Sequence, residues 1–420
     1  MSKFAFLTIG TKGDLFPFLG IAKELRRRKH EVVFIGSEAH RKMCETEGIQ
    51  FEGVIKADDH EKLLSHPDIW KPITGLKLYL REVTLGTAEP VFRVLEKHAQ
   101  KGPVSLVMNN LCLGGLIAHE KLGLPTAGVF LQPYAHISPS DPPKDSPLLS
   151  TIAGMVGVRG RRLIIRLIEN HFNAELAPVN EIRVRLGLKP VQDIVRVWRN
   201  SAPVMLDLWP EWFASGKPEW PPQAVRTGFI TYDGPAAPSV DWKHKASLTE
   251  FLKKKPIVFS MGSEMLQDFS GQRRLFSEAC RISSRPGLFV SAAIEGDKTE
   301  DVGANFKVIR AAPFSELFPL SSAVLCHGGI GSVARILAAG RPAIIAPLGY
   351  DQFDNGYHVE RLGVGLSLPY RSLNPKKLAN ALEAVFRDPR YSENALQLSQ
   401  RMQVQDGTIQ AADLLEERLL

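Results

Sequence analysis

The chain of 420 residues is 44% hydrophobic and 23% charged, with a formal net charge of +7. This composition is typical of folded globular proteins and excludes a low-complexity or disordered chain. A single hydrophobic core stops growing at roughly 250–300 residues, so the length predicts two domains. The positive charge favours phosphorylated small molecules, nucleic acid or an anionic membrane as partners, although it would also serve solubility alone.

Cysteine usage and hydropathy indicate a cytoplasmic protein. The four cysteines show neither C-x-x-C nor zinc-site spacing, as expected for reduced thiols inside the cell. The opening apolar run is too short for a signal peptide, and no apolar stretch reaches the about 18 residues of a membrane-spanning helix. We therefore predict a cytoplasmic chain with, at most, peripheral contact at the inner membrane face.

The first elements along the chain predict a βαβ unit. An apolar strand over 3–9 runs into the loop Gly10-Thr11-Lys12-Gly13-Asp14, and a helical pattern follows from Phe16. This pattern ends in a basic cluster at 26–29, which suits a solvated helix C-terminus. A second strand is predicted over 31–35. The order predicts a parallel, doubly wound sheet.

The alternation continues with strands over 104–108 and 126–131 and a helix over 113–122. The next segment, 152–172, is apolar but carries a set of arginines, namely Arg159, Arg161, Arg162 and Arg166. It predicts an amphipathic helix that covers an apolar acceptor or lies on a membrane. An ordinary helix packed on the first domain is the alternative.

A stretch rich in proline and glycine predicts a domain boundary between residues 209 and 242. The βα alternation then restarts, with further strands over 257–260, 288–292, 306–309, 323–326 and 343–346. We predict a first domain over 1–215, a linker over 216–242, a second domain over 243–395 and a C-terminal helix over 396–420 that crosses back to the first domain.

The stretch 326–334, Cys-His-Gly-Gly-Ile-Gly-Ser-Val-Ala, lies between a predicted strand and a predicted helix. Glycines let the backbone approach a phosphate closely, and a helix N-terminus supplies N–H donors and the positive end of a dipole. His327 adds a side-chain donor. The pattern predicts a diphosphate-binding loop, and a tight strand–helix turn without a ligand is the alternative.

A competing interpretation starts from Gly329-x-Gly331-x-x-Ala334, a degenerate dinucleotide fingerprint followed after about 20 residues by the acidic Asp351. Alone, it predicts an NAD(P)-dependent oxidoreductase. However, the fingerprint lies late in the second domain, and Asp351 opens the run Asp351-Gln352-Phe353-Asp354-Asn355 beyond Pro347. There the carboxylate and the Gln352 amide suit the vicinal hydroxyls of a sugar.

The span 312–365 resembles the donor-binding signature of family 1 glycosyltransferases, the UDP-glycosyltransferase-like group. The matching residues are Pro313, His327-Gly328-Gly329-x-Gly331-Ser332, Gly340-x-Pro342, Pro347, Asp351-Gln352, Asn355 and Gly363-x-Gly365. The opening Gly10-Thr11-Lys12-Gly13-Asp14-x-x-Pro17 resembles the acceptor loop of bacterial and sterol members. Within the family, the chain is most similar to the bacterial subgroup that contains the rhamnosyltransferase of rhamnolipid synthesis.

The resemblance implies an α/β GT-B fold, in which two Rossmann-like, doubly wound parallel-sheet domains face a cleft. The first domain would bind the acceptor and the second the nucleotide sugar. The resemblance implies that Gly13 belongs to the donor site and that Gly262 and Ser263 face the phosphates and the sugar. Ala312 would lie near the base. The diphosphate would be bound by His327, Gly328, Gly329, Gly331 and Ser332, and the sugar hydroxyls by Asp351 and Gln352. Plant members carry a base-stacking Trp and a ribose-binding Glu where this chain has Ala311 and Arg335, so a thymidine nucleotide is as plausible as a uridine one.

Transfer to a hydroxyl needs a general base and stabilisation of the departing diphosphate. Asp14 is the candidate catalytic base; the alternative is a helix cap for a helix that begins near Leu15. The sequence has no D-x-D motif, and Asp58 and Asp59 are expected in a polar surface loop. We therefore expect no metal and no cofactor besides the sugar donor as co-substrate.

The sequence thus predicts an inverting, metal-independent glycosyltransferase that moves a hexose or deoxyhexose from a UDP- or dTDP-linked donor to a hydroxyl of an apolar or lipid-like acceptor. The partners expected are this donor and acceptor, with no nucleic acid. A UDP-glucosyltransferase acting on a polyketide, flavonoid or sterol, an NAD(P)-dependent oxidoreductase, and an inactive nucleotide-sugar-binding subunit are the alternatives. The sugar, base, acceptor and oligomeric state stay open.

Overall fold

A computed structural model describes residues 1–69, 71–141, 144, 154–235, 246–262, 268–294 and 299–420. The chain divides into two compact units, the first comprising Met1–Pro235 with Asp406–Leu420 and the second Ala236–Gln405. Each unit is an α/β fold around one seven-stranded sheet. The predicted fold class, with its two parallel-sheet α/β domains, is confirmed.

The first sheet has the strand order β3-β2-β1-β4-β5-β6-β7, and every neighbouring pair in it is parallel. This is the order of a doubly wound dinucleotide fold. Its strands are β1 (Lys3–Leu7), β2 (Glu31–Ser37), β3 (Gln50–Ile55), β4 (Ser105–Asn109), β5 (Thr126–Phe130), β6 (Val204–Asp207) and β7 (Ala224–Arg226). The central strands are buried on both faces, which explains their nearly continuous apolar sequences.

The second sheet has the strand order β10-β11-β9-β8-β12-β13-β14, in which the short edge strand β10 is antiparallel to its neighbour and every other neighbouring pair is parallel. Its strands are β8 (Ile257–Ser260), β9 (Gly287–Val290), β10 (Glu300–Asp301), β11 (Phe306–Ile309), β12 (Val324–Cys326), β13 (Ala343–Ile345) and β14 (Gly365–Ser367). In both sheets the strand order reverses beside the first strand, at β1/β4 and at β8/β12.

Helices cover the faces of both sheets. In the first unit they are α1 (Lys12–Arg27), α2 (Arg41–Thr46), α3 (Ala57–Leu64), α4 (Pro72–Tyr79), α5 (Ala88–Ala99), α6 (Leu113–Leu122), α7 (Gly157–Leu176) and α8 (Val179–Arg185). Those that follow are α9 (Ala246–Leu252), α10 (Phe269–Ile282), α11 (Phe314–Leu317), α12 (Ile330–Ala338), α13 (Asp351–Arg361), α14 (Pro375–Arg387), α15 (Arg390–Val404) and α16 (Gly407–Leu419). None of the described helices is both long and apolar enough to cross a bilayer.

Two loop predictions were wrong. Asp58 and Asp59 lie in the first turn of α3 rather than in a loop, where their charges face the positive end of the helix dipole. The predicted linker 216–242 contains β7, which pairs with β6 as an edge strand of the first sheet. A strand of three residues is too short to show alternating apolar and polar residues, so the prolines around it led to the prediction of a linker. The residues 236–242 of that linker lie outside the described part.

The C-terminal segment predicted as one helix over 396–420 contains the end of α15 and all of α16. The second of these helices belongs to the first unit, where Ala411, Ala412 and Leu415 are buried in its core. The basic cluster at 26–29 is not fully solvated, because Arg28 pairs there with Glu24 and Asp413 at 2.8 and 2.6 Å.

The arginine-bearing segment forms α7, although residues 152 and 153 lie outside the described part of the chain. Only Leu176 of this helix is fully buried, and it joins the core beneath together with the partly buried Phe172. Leu163 and Leu167 are exposed. The helix therefore packs on the first unit through one face and leaves apolar side chains on the other.

Candidate functional site

The predicted site residues gather at the carboxyl ends of the strands in each unit. Asp14 follows β1 at the reversal between β1 and β4, while Gly262 and His327 follow β8 and β12 at the equivalent reversal. Open α/β sheets bind ligands at this edge and at this point, because loops diverge there to opposite faces. The two strand–glycine loops seen in the sequence thus occupy equivalent positions in their own sheets.

Asp14 stands in the first turn of α1, half-buried beside the end of β1. Thr11, not Asp14, is the N-cap, and α1 begins at Lys12, earlier than predicted. The Thr11 amide and hydroxyl both donate to Asp14 Oδ2, at 2.8 and 3.1 Å, which completes a capping box. The other carboxylate oxygen, Oδ1, receives neither of these bonds, so the capping role leaves it for other chemistry.

Burial raises the pKa of Asp14 above its usual range, and the hydrogen bonds from Thr11 oppose this shift. A higher pKa makes the carboxylate a stronger base than an exposed aspartate. The neighbouring Gly10 has no room for a side chain, since a Cβ there would lie 2.4 Å from Asp14 Oδ2. Because Gly10 has no side chain, the Asp14 carboxylate can lie close to the backbone that follows β1.

Two side chains that sequence analysis left without a role lie around the same loop. The Tyr79 hydroxyl, at the end of α4, donates to the carbonyl oxygen of Ile9. The Cys112 thiol also lies against Ile9, and burial raises the pKa of this thiol to about 12. Burial and the charge of Asp14 hold the pKa of Tyr79 well above its usual range. The Tyr79 hydroxyl and the Cys112 thiol are therefore neutral at neutral pH. They hold the loop in place and do not compete with Asp14 for a proton.

His40 and His60 flank this loop, with ring centroids 5.4 Å apart in an edge-on arrangement. Burial lowers the pKa of both, and that of His40 falls to about 4. The positive charge of Lys12 also contributes to the shift at His40. Apart from Lys12, the described side chains around Asp14 are thus neutral. The sequence did not indicate this arrangement, because the two histidines come from separate elements.

His327 lies buried at the end of β12 between two glycines. A Cβ on Gly262 would lie 2.9 Å from His327 Cε1, and one on Gly329 would lie 2.6 Å from Nε2. Gly262 adopts φ +77°, in the left-handed region that favours glycine. Burial lowers the pKa of His327 to about 4, so its imidazole is neutral at neutral pH. Its Nδ1 is buried and has no hydrogen-bond partner among the described residues.

The glycine-rich motif leads from His327 into α12, whose N-cap is Gly329. No described side chain caps this helix terminus, so its first N–H groups and the helix dipole point toward the same end as His327. Gly331 and Ser332 lie in this first turn, and Arg335 Nη1 donates to the Gly331 carbonyl oxygen at 2.6 Å. The motif therefore forms the strand–loop–helix arrangement expected of an anion site.

Asn355 of α13 joins the two site motifs of the second unit. Its Nδ2 donates to the Gly328 carbonyl oxygen at 2.9 Å and to Asp351 Oδ2 at 2.8 Å, while its buried Oδ1 has no partner in the described part of the chain. Asn355 belongs to the sequence motif, but the motif alone assigns it no role. The structure shows it holding the glycine-rich loop against the helix that carries Asp351 and Gln352.

Gln352 is oriented by the loop before it. Its Oε1 accepts from the amides of Leu348 and Gly349 at 2.9 and 3.4 Å, so its oxygen is used within the protein. Its two N–H groups are the part that remains for a sugar hydroxyl. Tyr350, which precedes α13, adopts φ +52°, a backbone conformation rare outside glycine. Such strain occurs most often at functional sites.

Two further predicted donor residues belong to other elements. Ala312 is half-buried after β11, which lies two strands away from β8. Gly13 belongs to the first unit, where its amide donates to Thr11 Oγ1 at 3.1 Å. Ser263 lies outside the described residues. No group of three His, Cys, Asp or Glu side chains in the described ranges could hold a metal ion.

Two family models match the chain. Residues 4–135 match the glycosyltransferase family 28 N-terminal domain, and residues 288–417 match the erythromycin biosynthesis protein CIII-like (EryCIII-like) C-terminal domain. The first match covers β1, the Asp14 loop and β4. The second covers the glycine-rich motif and α13.

Curated relatives match over nearly the whole chain. The chain is 24% identical to O-mycaminosyltylonolide 6-deoxyallosyltransferase of Streptomyces fradiae, over 99% of this chain and 97% of that protein. It is 25% identical to a sterol 3-beta-glucosyltransferase of Komagataella phaffii, again over 99% of this chain, but this alignment spans only 34% of the longer relative.

Solved glycosyltransferases share the fold. The glycotransferase of kitacinnamycin superposes with a TM-score of 0.73 at 17% identity, covering 100% of this chain and 99% of the other. The spinosyn rhamnosyltransferase SpnG in complex with thymidine diphosphate gives a TM-score of 0.67 at 16% identity, covering 99% of each chain.

Proposed function

We propose that this glycosyltransferase, in which a match to the family 28 N-terminal domain precedes a match to the EryCIII-like C-terminal domain, transfers a hexose or deoxyhexose from a nucleoside diphosphate sugar to a hydroxyl of an apolar acceptor. One observation carries the proposal. Among the described residues, a neutral, buried imidazole without a partner at Nδ1 stands beside a helix N-terminus without a side-chain cap, in a loop whose glycines leave no room for a Cβ.

The second unit would hold the donor. His327 and the first amides of α12 would donate hydrogen bonds to the diphosphate, and the helix dipole would stabilise the charge that develops on it. Asp351 and the amide of Gln352 would bind the sugar hydroxyls. Because His327 is neutral, it supplies a hydrogen bond to the leaving group without adding a positive charge to the resting site.

The first unit would hold the acceptor. Asp14 Oδ1 would take the hydroxyl proton as the acceptor oxygen attacks the anomeric carbon. The bond from that carbon to the diphosphate oxygen would break, and the diphosphate would leave with the electron pair. A single displacement of this kind inverts the anomeric configuration. The raised pKa of Asp14 supports this role, since it brings the base nearer to the pH at which the enzyme works.

The names of the relatives favour a compact aglycone over a lipid chain as acceptor. They are transferases named for a macrolide and for sterols, and the thymidine diphosphate bound to SpnG supports a dTDP-linked donor. We propose a polycyclic or polyketide hydroxyl as the acceptor and dTDP as the leaving group, with UDP as the second candidate. Transfer to a lipid-like acceptor and rhamnosyl specificity both remain predictions.

The test is a thermal-shift panel with UDP, dTDP, GDP and NAD(P), followed by transfer assays with the matching sugar donors. A nucleotide at 100 times its Kd should stabilise the native state by about 2.7 kcal/mol. The shift should vanish in His327→Ala and persist in His98→Ala, which removes a buried histidine of the first unit. Transfer should persist in EDTA. A shift with NAD(P) alone, or transfer unaffected by His327→Ala, would overturn the proposal.

A further inference from the structure

The outer face of α7 carries an apolar ridge of four side chains, Leu163, Ile164, Leu167 and Ile168. Each of them is between 41% and 62% exposed. They stand at i, i+1, i+4 and i+5, which places them along one side of the helix. Burying large apolar side chains normally stabilises a protein, so a row of four left in solvent indicates a surface that another phase or molecule covers.

The opposite face of the same helix attaches it to the first unit. Ile165 and Phe172 are partly buried, and Leu176 enters the core beneath. Glu169 lies off the ridge and is half-buried, with a pKa raised by burial. Glu175 lies on the ridge side two turns further along, where its carboxylate is paired with Lys77 at 2.8 Å. The helix is therefore anchored with its ridge outward.

A row of arginines borders the ridge. Arg159, Arg162 and Arg166 follow one another at i, i+3 and i+7 and are all exposed. Long arginine side chains can lay their methylene stems along apolar surface while their charged heads reach an anionic partner. An apolar stripe with a basic flank is the pattern of helices that lie in the interface of an anionic bilayer.

We propose that the outer face of α7 docks on an anionic membrane surface, with the ridge in the acyl boundary and the arginine row at the lipid phosphates. The net charge of +7 also favours attraction to an anionic surface. A second copy of the chain is a poorer occupant, because a symmetric contact would bring two arginine rows to one interface. The inference goes beyond the proposed function, since docking requires neither sugar donor nor acceptor.

The test is co-sedimentation of the full chain with vesicles of equimolar phosphatidylglycerol and phosphatidylcholine, compared with phosphatidylcholine alone. The wild-type chain should bind only the anionic vesicles, and added salt should weaken binding. R159Q/R162Q/R166Q should lower the partition constant on the order of a hundredfold, given the contribution of each arginine at an anionic surface. L163S/L167S should also lower the partition constant, and added salt should weaken the remaining binding, because the arginine row is intact.

A charge-matched control replaces three exposed arginines elsewhere. Arg27, Arg281 and Arg390 have side chains 71%, 73% and 80% exposed, so R27Q/R281Q/R390Q removes the same charge without touching α7. This variant should bind like the wild-type chain, and circular dichroism should show all variants folded. Equal losses of vesicle binding in the control and in the α7 variants, or no vesicle binding by the wild-type chain, would overturn the proposal. So would sedimentation velocity showing a dimer that L163S/L167S dissociates.

Discussion

The side-chain amide of Asn355 donates to the carbonyl oxygen of Gly328 across 2.9 Å, within a fully buried contact between α13 and the glycine-rich loop. Gly328 adopts φ +97°, so its carbonyl is presented by a backbone conformation that favours glycine. The bond ties the loop that follows β12 to the helix that follows β13. Two site segments distant in sequence thereby hold one geometry.

Asn355→Ala should therefore destabilise the second unit by about 1–3 kcal/mol, because it leaves a buried carbonyl without its donor. It should also weaken nucleotide diphosphate binding. Urea unfolding and calorimetric titration measure the two effects. Asn394→Ala is the matched control, since Asn394 Nδ2 donates to the Gly363 carbonyl oxygen at 3.0 Å, outside the glycine-rich motif. Equal nucleotide affinity in the two variants would contradict the role given to Asn355.

Gly329→Ala should displace the imidazole of His327. The backbone at Gly329 has φ −59°, which alanine adopts without strain, so the clash of the new Cβ with His327 Nε2 at 2.6 Å is the main effect. We expect a cost of about 1–3 kcal/mol in overpacking and a loss of nucleotide affinity of tenfold or more. Thermal shift against dTDP and UDP measures it. Gly154→Ala, where a Cβ would meet nothing within 4 Å, should leave affinity unchanged.

Asp14→Asn should lower kcat by about 10²–10⁴-fold, the usual contribution of a general base. The amide oxygen can still accept from Thr11, so the capping box is largely kept. Thr11→Ala is the complementary variant. It should cost about 0.5–2 kcal/mol of stability through loss of the cap while it keeps most of the activity. If Asp14→Asn lost only stability, Asp14 would be a helix-capping residue alone.

The pH dependence of transfer should report the raised pKa of Asp14. The base acts when deprotonated, so kcat should rise with pH and level off once the pH exceeds that pKa. The acid limb should lie above the value of about 3.9 expected for an exposed aspartate. Stopped transfer assays over a pH series, limited to the range in which circular dichroism is constant, measure it. An acid limb that persists in Asp14→Asn would assign it to another group.

Leu415→Ala should destabilise the first unit by about 2–5 kcal/mol, because Leu415 is fully buried in its core. Glu416→Gln on the same helix should cost no more than about 1 kcal/mol, since its side chain is 30% exposed where it meets Arg28 and His30. Urea unfolding followed by tryptophan fluorescence compares them. Equal stability of wild type and Leu415→Ala would mean that α16 contributes little to the core.

Much of the fold followed from strands that are mostly apolar and buried. The strands predicted over 257–260 and 306–309 match β8 and β11, and the helix over 113–122 matches α6. The strands β3, β6, β7, β10 and β14 were missed. Of these, β3 is mostly half-buried and β10 and β14 are three residues or fewer. Short edge strands are defined by pairing with a neighbour rather than by their own periodicity.

The residues of the candidate site were likewise only partly predictable from the sequence. The positions of His327 and Asp14 after their strands could be predicted, because a strand, a glycine loop and a helix are local and leave a pattern in consecutive residues. Tyr79, Cys112 and the His40–His60 pair could not, since each reaches the Asp14 loop from another element. The contact of His30 Nε2 with Glu416 Oε1 at 2.7 Å could not be predicted either, because Glu416 lies near the other end of the chain.

By itself, the sequence determined two βα-alternating units, a glycine-rich loop at the start of a helix in the second, and an acidic residue in the first turn of another helix. These features depend on backbone freedom, hydrophobic periodicity and helix termini, all of which act over a few consecutive residues. Only the tertiary structure decided that His327 is a neutral, buried imidazole, that Asp14 shares its carboxylate with a capping box, and that α7 leaves its apolar ridge in solvent. Protonation and exposure depend on which elements pack around a residue, and that is settled by contacts between residues far apart in the chain.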